Sequence, residues 1–306
     1  MTMNILEIKK LSKSYRHQAV LKDLYLSVPV GSVFFLIGLN GVGKTTLLKC
    51  VLGLVEIDSG EISYAGTKMG FLIETPTFYG NLSAWENLRH YAMLIGCGES
   101  AIRETLELVK LDYKNRKPVK KYSLGMLQRL GIARSLLGDN ELILLDEPFN
   151  GLDPVGIHEI KSLVTELATK HGKSIILSSH LIKETENLAT HYAILHDGNI
   201  ANTFTSSDLK NVRQCIKIPN AAFPDSENFN AFFEPWKKRV AYTLRGKDFI
   251  AYNTRIEDNA LVNFQLALSR AGFVSDGNIQ AFLSEGTLDE YFIALSRGTL
   301  ENVVYR

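Results

Sequence analysis

The sequence predicts an α/β protein in two parts. A mixed-sheet core carrying a helical subdomain at about residues 84–138 fills residues 1–210, and a small α+β domain takes 211–306. Three observations predict this. The apolar run Val33-Phe34-Phe35-Leu36-Ile37 turns through glycines into a helical run beginning at Leu47. The continuous runs Leu142-Ile143-Leu144-Leu145 and Ile175-Ile176-Leu177 read as strands buried on both faces, each followed by polar residues at its carboxyl end. Near residue 210 the pattern changes, and Pro219, Pro224 and Pro235 punctuate a stretch with no long periodic element.

Taken in order, residues 5–9 and 20–28 alternate as short strands do, ahead of the Val33–Ile37 strand. The helical pattern from Leu47 to Leu54 ends at Gly53, and the turn Asp58-Ser59-Gly60 leads to short strands at Glu61–Tyr64 and Lys68–Ile73. In the helical subdomain Trp85, Leu88, Tyr91, Leu94 and Ile95 share one face, and Ile102, Leu106, Val109 and Leu111 another. Beyond residue 210 come strands at Arg239–Leu244 and Phe249–Asn253, then a helix carrying Leu261, Phe264 and Leu268 with Gly272 as its stop. A strand at Asn278–Leu283 and a last helix opened by a Thr287/Glu290 capping box complete an order of β-β-α-β-α.

Composition narrows the function. The 306 residues are 45% hydrophobic, enough for a large core, and 34 basic against 33 acidic residues leave a net charge of +1. That balance has no electrostatic footprint for nucleic acid, so no nucleic-acid partner is expected. Cys50, Cys97 and Cys215 are odd in number and lack metal-ligand spacing, which suits reduced thiols in a cytoplasmic protein. No stretch resembles a signal peptide or reaches about 18 uninterrupted apolar residues, so a pore in any membrane process belongs to another polypeptide.

The residues Gly38-Leu39-Asn40-Gly41-Val42-Gly43-Lys44-Thr45-Thr46 fit the phosphate-cradle pattern G-x-x-x-x-G-K-[ST] in its strand-to-helix context. Backbone N–H groups of the loop and the helix N-terminus would surround phosphate oxygens, Lys44 would reach the β and γ phosphates, and Thr45 would ligate Mg²⁺. ATP or GTP is the expected ligand. Asp146 and Glu147, after the Leu142–Leu145 strand, offer a Mg²⁺-associated carboxylate and a second carboxylate placed to polarise a water. Ser123 and Gly125, in Tyr122-Ser123-Leu124-Gly125-Met126-Leu127-Gln128-Arg129, stand at the start of a helix and could bind an anion. Each has a plainer reading: a strand-ending acidic pair for Asp146 and Glu147, an ordinary helix cap for Ser123.

The ordered series resembles the ATP-binding subunits of ABC transporters over residues 4 to about 210. The resemblance implies that Gly38 to Thr46 is the Walker A cradle, Leu142 to Asp146 the Walker B strand and Glu147 the catalytic glutamate. It likewise implies that Asn150-Gly151-Leu152-Asp153 is the D-loop, His180 in Ser178-Ser179-His180 the switch histidine, and Tyr15 the aromatic that stacks on adenine. Two positions depart from the family. The signature L-S-G-G-Q reads Tyr122-Ser123-Leu124-Gly125-Met126, keeping Ser123 and Gly125, and the Q-loop glutamine is Glu74, which adds a carboxylate at the Mg²⁺ site. Both departures resemble the subgroup exporting bacitracin or lantibiotic peptides in self-immunity.

What the resemblance implies is an ATPase with ATP and Mg²⁺ as cofactors. It would work as a head-to-tail pair with a second nucleotide-binding subunit, a homodimer, each ATP lying between one cradle and the other chain's Ser123 and Gly125. A separate transmembrane permease would take up the motion at the cytoplasmic face of the cell membrane, with this chain peripheral. Two alternatives stay open: a soluble ABC ATPase acting on ribosome or DNA, and a nucleotide-gated subunit that binds ATP without turning it over.

Overall fold

The computed structural model describes residues 3–16, 18–66, 68–74, 76–218, 227–245, 248–254, 260–271 and 283–296. The chain forms two compact units, residues 1–203 and 204–306.

The first unit opens with a hairpin of β1 (Asn4–Tyr15) and β2 (Gln18–Pro29), each longer than its alternation suggested. Their register shifts several times, which lets twelve residues pair although the apolar alternation is clean only in part. Then follow β3 (Val33–Ile37), α1 (Lys44–Val51), β4 (Ser59–Tyr64) and β5 (Met69–Leu72). The helical insert holds α2 (Ala84–Ile95), α3 (Glu99–Leu108) and α4 (Leu124–Leu136). After it come β6 (Leu142–Asp146), α5 (Pro154–Thr169), β7 (Ser174–Ser179), α6 (Ile182–Thr185), β8 (His191–His196) and β9 (Asn199–Thr205).

A six-stranded sheet runs β5-β6-β7-β3-β8-β9, and a three-stranded antiparallel sheet runs β2-β1-β4. The pairs β5–β6, β6–β7, β7–β3 and β3–β8 are parallel. Every residue of β3, β6 and β7 is buried, as unbroken apolar runs require of central parallel strands. Helix α1 sends Leu47, Leu48 and Val51 into one core with Leu6, Leu24, Phe34 and Leu144, joining the two sheets. Each such side chain contributes roughly 1.5–3 kcal/mol by leaving water.

In the insert, α2 begins with a capping box: Glu86 N–H donates to Ser83 Oγ at 3.3 Å and Ser83 N–H to Glu86 Oε2 at 2.7 Å. Helix α4 lies unusually close to β5. A Cβ on Gly70 would stand 1.7 Å from Ser135 O, and one on Gly131 would stand 2.7 Å from Leu72 Cδ1.

The second unit contains α7 (Leu209–Val212), β10 (Gln214–Ile218), α8 (Glu227–Phe233), β11 (Val240–Arg245), β12 (Asp248–Asn253), α9 (Ala260–Arg270), β13 (Leu283–Glu285) and α10 (Leu288–Ser296). Its antiparallel sheet has the order β11-β12-β10-β13. From β10 to β13 this is the β-α-β-β-α-β arrangement of ferredoxin-like units. The expected β-β-α-β-α lacked β10 and α8: five and seven residues, flanking Pro219 and Pro224, are too short for periodicity to announce. Burial reveals them, since Phe229 packs at 5.5 Å from Phe249 in a core with Ile216, Val240 and Phe264. The expected strand at Asn278–Leu283 lies outside the described residues except Leu283, as does Gly272. The Thr287 capping box is present, with Thr287 N–H donating to Glu290 Oε2 at 2.9 Å and Glu290 N–H to Thr287 Oγ1 at 3.2 Å. Among the described residues no helix is long and apolar enough to cross a membrane.

Candidate active site

The loop from Gly38 to Gly43 leaves the carboxyl end of β3 and enters α1. Gly43 has φ +114°, and a Cβ there would stand 3.0 Å from Val20 Cγ1. A Cβ on Gly38 would stand 2.7 Å from Val42 Cγ1 and 3.0 Å from Leu195 O, so the loop closes only with glycine at these points. Leu39 and Val42 brace it through a Val42 N–H to Leu39 O bond of 3.3 Å, leaving Asn40 and Gly41 exposed at the crest. The helix starts at Lys44, not Leu47, so Lys44, Thr45 and Thr46 form its first turn, where N–H groups have no partner within the helix. Lys44 is buried, and its Nζ donates to Gly38 O at 2.8 Å and Leu39 O at 3.2 Å.

Two strand ends deliver acidic groups to this loop. Asp146 closes β6, and its Oδ2 accepts from Thr45 Oγ1 at 2.6 Å. Its Oδ1 accepts from Ser178 Oγ on the neighbouring β7. Glu147, the next residue, turns the chain with φ +48°, a left-handed conformation that costs a non-glycine residue about 1–2 kcal/mol. Its N–H is shared between Ser178 O and Ser178 Oγ, both at 3.1 Å. One carboxylate oxygen stands 3.4 Å from Lys44 Nζ, and the other is 2.9 Å from His180 Nδ1. Thus Lys44, Thr45, Asp146, Glu147 and His180 form one connected cluster, with Ser178 behind both acids. The motif Ser178-Ser179-His180 assigns Ser178 no role; the signal for one is its place near the end of a buried strand, in register with Asp146.

Other expected residues lie apart from this cluster. Glu74, at φ +61°, bonds Lys49 Nζ at 2.6 Å, and no bond among the described residues joins it to Thr45 or Asp146. The same bond raises the Lys49 ammonium above its ordinary pKa. Tyr15 ends β1 as an exposed residue, 44% accessible. Ser123 caps α4, accepting from Met126 N–H at 3.3 Å, and Asp153 caps α5, accepting from Gly156 N–H at 2.8 Å. A Cβ on Gly125 would stand 3.8 Å from Leu152 Cδ2, and one on Gly151 would stand 2.8 Å from Leu124 Cδ2, so these two segments pack on each other.

The Thr45 hydroxyl and Asp146 carboxylate are a hard-oxygen pair at contact distance, and among the described residues no group of three or more His, Cys, Asp or Glu could hold a metal ion. This donor set fits Mg²⁺, which takes few protein ligands and fills its shell with phosphate and water.

A family model described as ABC transporter matches residues 21–150. The chain is 34% identical over 313 residues to the bacitracin transport ATP-binding protein BcrA of Bacillus licheniformis, covering 96% of this chain and 98% of that one. It is 41% identical over 204 residues to the lantibiotic transport ATP-binding protein SrtF of Streptococcus pyogenes, covering 64% of this chain and 89% of the other. Among solved structures, an ATP-binding subunit of an ABC transporter is similar at TM-score 0.60 and 33% identity, over 67% of this chain and 92% of that one. A dimeric bacterial cassette, MJ0796, shares the fold at TM-score 0.59 and 22% identity, over 66% and 98%. The chain belongs to the ABC transporter family as an ATP-binding, ATP-hydrolysing subunit.

Proposed function

We propose that this subunit powers export of a peptide antibiotic of the bacitracin or lantibiotic class through a separate membrane permease. The observation that carries the hydrolytic part is Glu147, anchored between Lys44 at 3.4 Å and His180 at 2.9 Å directly after Asp146. Glu147 accepts a proton from water as the water oxygen bonds to the γ-phosphorus; the electron pair of the breaking P–O bond stays with ADP. His180 steadies the second carboxylate oxygen. Lys44 and the N–H groups from Gly38 to Thr46 hold the phosphates. Thr45 and Asp146 would hold Mg²⁺, which when bound neutralises charge on the β and γ phosphate oxygens. Glu74 would offer a further carboxylate to that metal in place of its bond to Lys49, and Tyr15 would stack on adenine.

Asp153, Ser123 and Gly125 belong to the other face of the reaction, completing the site of a second copy in a head-to-tail homodimer. The packing of Gly151 and Leu152 on Leu124 and Gly125 supports this, since the segments that would meet the partner form one surface. The dimeric state of the MJ0796 cassette is in keeping with it. On this reading the nucleotide-binding domain spans residues 1–210, with its helical subdomain at about 84–138, and residues 211–306 form an accessory domain; the compact units part a few residues earlier, between Thr203 and Phe204. The subunit is peripheral, at the cytoplasmic face of the membrane beside its permease.

The cargo reading rests on similarity to BcrA along nearly the whole chain and on the Glu74 and Ser123-Leu124-Gly125-Met126 departures. Cells making this subunit and its permease should tolerate a bacitracin-like or lantibiotic peptide better than cells without them. Lys44→Ala should abolish the difference. A panel of such peptides showing no protection, from an assembled complex that hydrolyses ATP, rejects the cargo and leaves the ATPase.

A further inference from the structure

The base-stacking residue has a built support that the motif does not include. Lys13 and Tyr15 are two apart on β1 and so share a face of the strand. Lys13 Nζ lies over one face of the Tyr15 ring, 5.4 Å from its centroid. The Lys13 side chain is largely covered, at 14% exposure, whereas Tyr15 is an exposed residue. Its ammonium is fixed from behind by Asp58, with Nζ to Oδ1 at 3.0 Å.

Asp58 is in turn held by the strand that bears the ring. Its Oδ2 accepts from Ser14 N–H at 2.7 Å, and its own N–H donates to Ser12 O at 2.9 Å. Two residues later a Cβ on Gly60 would stand 2.3 Å from Lys10 O, so this turn lies directly on β1. The hydrogen bond that the ammonium donates to Asp58 raises the Lys13 pKa above its ordinary value.

We propose that Lys13, held by Asp58, is a positioning residue for the nucleotide base: it occupies one face of the Tyr15 ring, fixes the ring's orientation and leaves the opposite face for stacking. A cation on one face also withdraws electron density, which favours an electron-rich purine on the other. The inference rests on the reading of Tyr15 as the base platform. It implies that Lys13 serves the base and not the phosphates.

The test compares ATP with inorganic tripolyphosphate, which has the phosphates but no base, by competition binding to the full chain. Lys13→Met keeps the stem and removes the charge. It should weaken ATP about three- to tenfold, the scale of a partly buried cation–π contact, and leave tripolyphosphate unchanged. Lys13→Arg should restore most of the loss. Asp58→Asn, which frees the ammonium without removing it, should shift ATP in the same direction by less, and it carries the comparison if Lys13→Met fails to fold. Equal weakening of both ligands, or of neither, overturns the proposal. Tyr15→Ala separates the two readings. If it too spares the difference between ATP and tripolyphosphate, the platform itself is wrong; if it erases that difference and Lys13→Met does not, only the role of Lys13 falls.

Discussion

Glu147→Gln should separate nucleotide binding from chemistry. The amide is isosteric and can keep its neighbour His180, but it neither takes up a proton nor attracts Lys44. A general base contributes roughly 10²–10⁴ in rate, so kcat should fall at least about 100-fold, or about 2.7 kcal/mol in barrier. Binding should move the other way. Lys44 stands 3.4 Å from a Glu147 oxygen, and both side chains are well covered, at 6% and 22% exposure. At an effective dielectric of about 20 that pair represents roughly 5 kcal/mol of gross attraction, which the phosphates must replace. Sparing even about 1 kcal/mol of that exchange tightens ATP about fivefold, and the variant should accumulate as an ATP-bound dimer. The assay is ATP turnover by the purified complex with its membrane subunit, beside equilibrium ATP binding and sizing of the variant subunit. Turnover within about threefold of wild type, or a loss matched by lost ATP binding, refutes the assignment of Glu147 as base.

Two further outcomes follow from contacts around the cluster. Ser178→Ala removes the hydroxyl that donates to Asp146 and accepts from Glu147 N–H in a fully buried position; it should cost about 2–4 kcal/mol of stability and lower kcat more than it raises KM, and a stable, fully active variant in denaturant melts and ATPase assays rules that role out. Glu74→Gln should leave nucleotide affinity largely intact and shift the Mg²⁺ titration. Combined with Lys49→Met in a double-mutant cycle, it should reveal a coupling of about 0.2–1 kcal/mol, as expected for an exposed ion pair; additive effects in the Mg²⁺ titration would falsify any link between the two.

The cradle and the Asp146-Glu147 pair were legible because their chemistry is local. A tight glycine turn, a lysine and a hydroxyl must be near neighbours in sequence, and a buried strand announces itself as an apolar run. His180 became readable only through the ordered resemblance, because its partner Glu147 is brought to it by parallel pairing of β6 and β7. Ser178 and Lys49 escaped for the same reason: their roles arise from contacts across 32 and 25 residues, which no spacing rule encodes. Glu74 shows the converse. Its identity stood out as a departure, yet its observed partner is an unremarked lysine on α1. In the second unit, β10 and α8 gain their order from a sheet and an aromatic core assembled from distant segments.

The near-contact of Gly70 with Ser135 gives the insert a mechanical character. With no side chain between Gly70 and the Ser135 carbonyl, the two backbones bear directly on each other at that point, while Leu72 of β5 fills the space against Gly131 one turn earlier in α4. Glu74 sits two residues beyond one member, and Ser123 stands at the head of the other. A shift of the Glu74 turn carried along β5 would therefore meet α4 backbone to backbone at Ser135, the end of that helix about 20 Å, at 1.5 Å per residue, from Ser123.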